Sequence, residues 1–120
     1  MFIYKNENPN GYHIPDCVIR AITGATDIPY FNVVCLLHQN AFLFSCDELN
    51  VRCYEKLLDQ DFSFRHLESD GKTVEEVASD FKDETLLIRI PGHLTMSKCG
   101  YIYDIWDCSD EIVTDFWIVK

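Results

Sequence analysis

Apolar residues recur at helical spacing in the first half of the chain, whereas the second half contains alternating and continuous apolar runs. The first predicted helix begins at Cys17, with Asp16 at its N-cap, and ends at Gly24, which suits the C′ position. A second predicted helix begins near Pro29, shortly after Asp27. The apolar stripe predicted along it consists of Phe31, Val33, Val34 and Leu37.

Two further helices are predicted before the pattern changes. Asp47 suits the N-cap of the third helix. The apolar residues predicted along one side of that helix are Leu49, Cys53, Leu57 and Leu58. After a turn at Asp70-Gly71, Thr73 and Glu76 match a capping box, which predicts a short fourth helix ending near Phe81.

The second half of the chain is predicted to form strands. Thr85–Ile90 is a continuous apolar run that is typical of a buried strand, and Pro91-Gly92 interrupts it. Residues 93–98 and 101–106 flank a two-residue turn at Cys99-Gly100, and residues 116–119 predict a last strand. Helices followed by a small antiparallel sheet indicate an α+β protein, which we expect to form a single domain over residues 1–120.

The register of the predicted hairpin decides whether His93 and Asp104 can meet. With Cys99-Gly100 as the loop, Thr95 pairs with Asp104, and His93 becomes the diagonal neighbour of Asp104 on the same face. Diagonal neighbours are roughly 7–8 Å apart at the backbone, within reach of these two side chains. A three-residue loop at 98–100 would instead place them on opposite faces.

The net charge limits the partners that the chain is expected to bind. Twenty acidic and ten basic side chains give a formal charge of −10 at pH 7. Such a surface repels phosphate, so no nucleic-acid partner is expected, while it favours solubility or a basic protein partner. No apolar run approaches the roughly 20 residues of a membrane span, and residues 1–7 lack the pattern of a secretory signal. We therefore expect a cytoplasmic protein without a membrane partner.

The six cysteines do not have the spacing of a metal site. The sequence contains neither a Cys-x-x-Cys pair nor two closely spaced histidines, so no metal or other cofactor is expected. Disulfides are not expected without a secretory signal. The cysteines predicted to act as small apolar residues are Cys35, Cys46 and Cys53. Cys99 is assigned to the hairpin tip and Cys108 to a structural turn, which leaves Cys17.

Cys17, His93 and Asp104 are the candidate catalytic residues. A thiol is nucleophilic only as a thiolate, and both the first turn of a helix and a nearby imidazolium lower its pKa. Cys17 lies in the first turn of a predicted helix, and His93 could supply the nearby imidazolium. Asp104 would orient the imidazole. Backbone N–H groups near Cys17 and the side chain of Asn10 are the candidate donors to an oxyanion.

Several alternatives to this assignment stay open. His13 is close enough to Cys17 in sequence to be a second candidate base, and Asp107 is a second candidate for the carboxylate. His38 and His66 are predicted to be solvated. Cys17 itself fits the simpler role of a small buried residue at the start of a helix.

Around these residues the chain resembles a known family. The segments concerned are residues 8–11 (NPNG), 16–23 (DCVIRAIT), 92–94 (GHL) and 103–107 (YDIWD). They are similar to the small papain-like cysteine-peptidase-fold proteins, of the NlpC and bacteriocin-processing types, of bacteriophages and bacteria. The resemblance implies a papain-like core with N-terminal helices packed on a small C-terminal antiparallel sheet, with Cys17 as nucleophile, His93 as base and Asp104 as the orienting residue.

Two functions from different classes follow from this resemblance. The first is a phage-type cysteine peptidase or amidase that acts by thiol acyl transfer on a peptide or isopeptide-like substrate, without a cofactor. The second is a catalytically inactive papain-like scaffold whose acidic surface binds or inhibits a host protein. For a phage-encoded protein, either function implies the host cytoplasm.

Overall fold

A computed structural model describes residues 1–44 and 51–119 of the chain. The helices of the described residues are α1 (Cys17–Thr26), α2 (Tyr30–Phe44), α3 (Val51–Lys56) and α4 (Val74–Asp80), and a π-helical turn, Leu57–Asp61, continues α3. The strands are β1 (Phe2–Tyr4), β2 (Arg65–Glu68), β3 (Thr85–Ile90), β4 (His93–Lys98), β5 (Tyr101–Asp104) and β6 (Asp115–Val119). The chain is therefore an α+β protein, as predicted.

The sheet is larger than predicted and is mixed. Its described strands follow the order β1-β5-β4-β3-β6-β2, in which β1 pairs with β5 in parallel and the other neighbours are antiparallel. The prediction of a small antiparallel sheet confined to the C-terminal half was therefore wrong. One edge strand comes from the N-terminus and the other from the segment between α3 and α4, and they are three and four residues long and largely exposed. A strand this short and exposed leaves little hydrophobic alternation to recognise.

The β4–β5 hairpin has the predicted register. Lys98 pairs with Tyr101 across the turn, and Met96 pairs with Tyr103. Cys99 and Gly100 have φ values of 55° and 80°, the left-handed conformation that a two-residue type I′ turn requires at both positions. The described strand β5 ends at Asp104, two residues before its predicted end, so Asp104 lies at the strand terminus.

Helix α1 is longer than predicted. It continues through Gly24 to Thr26, and Asp27 ends it in the left-handed conformation (φ 63°) with its N–H donating to the Thr23 carbonyl. Gly24 therefore lies inside the helix, where it faces the side chain of Met96 on β4. The end of α1 is therefore set by its packing against the sheet and not by Gly24.

The remaining helical predictions were correct in part. In α2, Val33 and Leu37 are buried as predicted, but Phe31 is 62% exposed. The capping box at the start of α4 is confirmed, since Thr73 Oγ1 accepts from the Glu76 N–H and the Glu76 carboxylate accepts from the Thr73 N–H. Predictions that involve residues 46, 47 and 49 lie outside the described residues.

Cys53 is buried, as predicted, but takes part in a disulfide bond, so the expectation that the chain has no disulfides was wrong. The other described cysteines are free, and they are Cys17, Cys35, Cys99 and Cys108. Cys35 is exposed rather than buried, so its predicted role as a small apolar residue was also wrong. The thiols of Cys17 and Cys108 are thus available for chemistry in this structure.

The sheet has an apolar cluster on each side. Helices α1 to α3 cover one cluster, in which Ile22, Leu37 and Leu58 are buried together with Leu87 and Trp117 of the sheet. The second cluster joins α4 to the opposite face of the sheet, and its buried residues include Val74, Val77, Leu86, Ile88, Ile90 and Ile102. Within the described ranges, no helix is both long enough and apolar enough to cross a membrane.

Candidate active site

The structure brings the three candidate catalytic residues together at one end of the sheet. Cys17 is the first residue of α1, His93 is the first residue of β4, and Asp104 is the last residue of β5. The hairpin register places His93 and Asp104 on neighbouring strands, and α1 packs on β4. Three residues that are distant in sequence therefore meet because each lies at the end of its own element.

His93 is held by Asp104. Its Nε2 lies 2.7 Å from Asp104 Oδ2, and the side chains are 13% and 3% exposed. Burial opposes the charged imidazolium, but hydrogen bonding to Asp104, Cys108 and Cys17 outweighs it and raises the pKa of His93 to about 11. Burial also opposes the charged form of Asp104, yet the imidazole holds its pKa below the ordinary value. The pair is therefore an imidazolium–carboxylate ion pair at neutral pH.

The Cys17 thiol lies beside the same imidazole. The thiol is half-buried, and although burial alone would raise its pKa, hydrogen bonding to His93 and to the Leu94 backbone lowers it, with help from the charge of Arg20. The first turn of α1 adds free N–H groups and the positive end of the helix dipole. Because Nε2 of His93 is bonded to Asp104, Nδ1 is the ring nitrogen that can face the thiol.

A buried arginine links α1 to the candidate catalytic carboxylate. Arg20 Nε donates to Asp16 Oδ1 at 2.6 Å, and its Nη1 donates to Asp104 Oδ1 at 2.8 Å. The four-residue spacing of Asp16 and Arg20 is the sequence signal for the first bond. The second bond joins residues 84 positions apart, and no local pattern predicts it.

Asp16 occupies the predicted N-cap position, but its side chain makes no capping hydrogen bond. Its Oδ2 instead accepts from Asn8 Nδ2 at 3.0 Å and from the Tyr30 hydroxyl at 2.6 Å. Burial and the hydrogen bond to Asp16 raise the pKa of Tyr30. These bonds fasten the loop before Cys17 to α2 and fix where α1 begins.

The candidate oxyanion donor, Asn10, lies in this loop. Its backbone N–H donates to Asn8 Oδ1 at 2.9 Å, and the residue is exposed. Within residues 1–44 and 51–119, its side-chain amide makes no hydrogen bond. Asn10 therefore stays a candidate donor whose amide is available to a ligand.

Two residues near His93 were not predicted to belong to the site. Cys108 was assigned to a structural turn, but it is 1% exposed and its thiol interacts with the His93 imidazole. Trp106 stands edge-on to the imidazole, with ring centroids 5.0 Å apart and an interplanar angle of 76°, and it remains 44% exposed. Both follow β5 in the chain, and the end of that strand at Asp104 turns them toward His93.

The alternative candidates are engaged elsewhere. His13 Nε2 lies 3.0 Å from the Tyr4 hydroxyl in an exposed position. Asp107 accepts from the N–H and the hydroxyl of Ser109 in an exposed turn, as its predicted turn role requires. His38 is exposed as predicted. His66 is also exposed as predicted, but two carboxylates and a tryptophan contact its ring, and no pattern in the sequence indicated these partners.

A cavity of about 240 Å³ adjoins the Cys17 thiol and the His93 imidazole. Most of its lining is apolar, and the lining residues are Pro15, Cys17, Val18, Tyr54, Ile90, Gly92, His93 and Leu94. A space of this kind beside a thiol can accommodate the apolar part of a ligand while the reacting group meets the sulfur.

Comparison with known proteins gives no match: no family model, curated protein or solved structure is significantly similar to this chain. The function must therefore be inferred from the chemistry of the site.

Proposed function

We propose that the chain is a cysteine hydrolase of the papain-like type that cleaves a peptide or isopeptide-like bond by acyl transfer. Cys17 is the nucleophile, His93 the acid and base, and Asp104 the residue that orients the imidazole. The observation that most strongly supports this is a thiol of lowered pKa beside an imidazole that a buried carboxylate holds in place. This is the arrangement by which a weak nucleophile becomes reactive at neutral pH.

The placement of the three residues supports a papain-like core. A helix that begins at Cys17 packs against antiparallel strands that present His93 and Asp104. The resemblance of the segments around Cys17, His93 and Asp104 to phage and bacterial papain-like proteins agrees with this arrangement. For a phage-encoded enzyme, the proposal implies action in the host cytoplasm.

The proposed reaction has two steps. In the first step, the Cys17 thiolate attacks the carbonyl carbon, and the His93 imidazolium gives its proton to the leaving amine as the C–N bond breaks. In the second step, water attacks the thioester and gives a proton to His93, and the C–S bond breaks to restore the thiolate. Backbone N–H groups at the start of α1 and the amide of Asn10 are the candidate donors to the oxyanion in both steps.

The test is to detect the acyl-enzyme directly. Incubation with 4-nitrophenyl acetate at pH 7 should release 4-nitrophenolate in a burst, and intact-mass and peptide mass spectrometry should find one acetyl group on Cys17. Cys17→Ala should abolish both signals, whereas Cys99→Ser, which removes an exposed thiol at the hairpin tip, should leave them unchanged. Acetylation of Cys17 no faster than that of the exposed Cys35 and Cys99 would argue against the proposal.

The charge of the chain favours a second function, an inactive papain-like scaffold that binds a basic host protein. Its formal charge of −10 provides the electrostatic complementarity that such binding needs. The two functions differ in their dependence on Cys17. A binder should retain its partner affinity in Cys17→Ala and should lose it with rising salt, whereas acyl transfer should be lost in Cys17→Ala.

A further inference from the structure

We propose that His93, Asp104 and Cys108 form a binding site for a thiophilic divalent cation such as Zn²⁺, and that the bound ion switches off acyl transfer. One potential ligand atom from each residue lies within 4.8 Å of the other two. The inhibitory half of this proposal rests on the proposed function, whereas the binding half rests on the geometry alone.

The donor set fits a zinc-like ion. It consists of an imidazole nitrogen, a carboxylate oxygen and a thiol sulfur, the three ligand types that Zn²⁺ accepts in proteins. Ligand atoms about 2.0–2.3 Å from a tetrahedral ion are roughly 3.4–3.7 Å apart. His93 Nε2 and Asp104 Oδ2, now 2.7 Å apart, must therefore separate slightly to admit the ion, while the Cys108 thiol lies within 4.8 Å of both ligand groups. Mg²⁺ and Ca²⁺ prefer oxygen ligands and are not expected to compete.

The surroundings of Asp104 keep one oxygen free for an ion. Arg20 Nη1 holds Oδ1, so Oδ2, which now faces His93, is the oxygen available for coordination. The charge of Arg20 opposes a cation, but Asp16 pairs with the same guanidinium and offsets it. Arg20 therefore acts as an outer partner that orients a ligating carboxylate.

Binding of the ion should release protons and prevent His93 from acting as a base. Only a thiolate and an unprotonated imidazole nitrogen can coordinate the ion, so binding displaces protons from Cys108 and His93 and should weaken as the pH falls. With the ion on Nε2, the neutral ring carries its one proton on Nδ1 and has no free lone pair to accept a proton in catalysis. A water molecule completes the coordination.

The sequence pattern gave no sign of this site, because His93, Asp104 and Cys108 do not have the spacing of a recognised metal motif. His93 and Asp104 belong to adjacent strands, and Cys108 returns to them through the loop after β5. Cys108 is 1% exposed, and its sulfur lies within 4.8 Å of a ligand atom of His93 and of Asp104.

The test uses Co²⁺ and Zn²⁺ on the full chain after treatment with a chelator and its removal. Titration with Co²⁺ at pH 7.5 should produce a thiolate-to-cobalt charge-transfer band and the visible bands of tetrahedral Co²⁺, and Zn²⁺ should displace both. Cys108→Ser and Cys108→Ala should abolish the charge-transfer band of this thiolate and weaken Zn²⁺ binding by more than the roughly 10- to 100-fold that loss of an outer partner costs. Cys99→Ser should bind like the wild type. Circular dichroism should verify that each variant is folded.

The two halves of the proposal can fail separately. Cys17→Ala, which is expected to lack acyl transfer, should still bind Co²⁺ with the Cys108 charge-transfer band, so binding can be judged without activity. A wild-type protein without these bands, or a folded Cys108 variant with unchanged affinity, would overturn the site. If Zn²⁺ binds through Cys108 but does not slow acetylation of Cys17, the proposed inhibition is overturned.

Discussion

The sheet contains two histidine–aspartate pairs that differ in what surrounds the imidazole. In the site pair, His93 Nε2 lies 2.7 Å from Asp104, and in the framework pair, His66 Nε2 lies 2.5 Å from Asp115. An arginine also binds each carboxylate, Arg20 at Asp104 and Arg89 at Asp115. The pairing of a histidine with a buried aspartate therefore does not by itself distinguish a reactive centre from a structural one.

The second ring nitrogen makes the difference. In the framework pair, Nδ1 of His66 lies 3.2 Å from Asp59, and the ring stacks on Trp117 with centroids 4.2 Å apart. Trp117 donates to Asp59, and Arg89 lies over the same indole, so the polar groups bind one another within the fold. In the site pair, the thiols of two cysteines interact with the ring, which adjoins a cavity. An imidazole becomes a candidate base when one nitrogen is anchored and the other faces a nucleophile.

Removal of either carboxylate should have the largest effect on stability. Asp104→Ala leaves Arg20 and His93 without their shared acceptor, and Asp115→Ala does the same to Arg89 and His66. Each should lower the free energy of unfolding by about 3–5 kcal/mol, the usual cost of breaking a buried ion pair. Urea unfolding at pH 7 of the wild type and the two variants measures this loss in the free energy of unfolding.

The matched control for this experiment is Asp107→Ala. Asp107 is exposed and bonds only within its own turn, so little change is expected. Equal, small effects of Asp104→Ala and Asp107→Ala would contradict the buried network.

Deprotonation of His93 should lower the free energy of unfolding less than Asp104→Ala does, because the bond between Arg20 and Asp104 persists. The pKa of His93 is raised from 6.5 to about 11, so its contribution to stability is complete below pH 6.5 and is lost as the pH rises through the raised value. The lowered pKa of Cys17 acts in the opposite direction, so Cys17→Ala is the cleaner background. In that variant, the free energy of unfolding should decline above pH 6.5.

Adding His93→Gln to Cys17→Ala should remove most of this alkaline decline. The lowered pKa of Asp104 predicts the acidic counterpart, a contribution present above pH 3.8 and lost as the pH falls through the lowered value. An alkaline decline of the same size with and without His93 would show that another group causes it.

The strands and the hairpin register that form the site could be predicted because their signals are local. Thr85–Ile90 and His93–Lys98 have the predicted limits, and the turn residues at 99–100 fix the pairing that places His93 near Asp104. The bond between Arg20 and Asp104 and the contact between Cys108 and His93 join distant residues, and only the tertiary structure creates them. The partners of His66 were missed for the same reason, since they belong to other elements.

His66→Ala should have the smallest effect of these changes. It removes a hydrogen bond to the Asp115 carboxylate and a stacked ring, while Arg89 still binds Asp115. We expect a loss of about 2 kcal/mol in the free energy of unfolding and an unchanged rate of Cys17 acetylation. A loss of acetylation in a folded His66→Ala protein would erase the distinction between the two pairs.

The most direct test of the account is the pH dependence of Cys17 alkylation by iodoacetamide, followed by peptide mass spectrometry in the wild type, His93→Ala and His66→Ala. The account predicts a wild-type midpoint below the ordinary thiol value of about 8.5, a midpoint shifted upward in His93→Ala, and a wild-type profile in His66→Ala. A Cys17 that titrates like an ordinary thiol and is indifferent to His93 would contradict it.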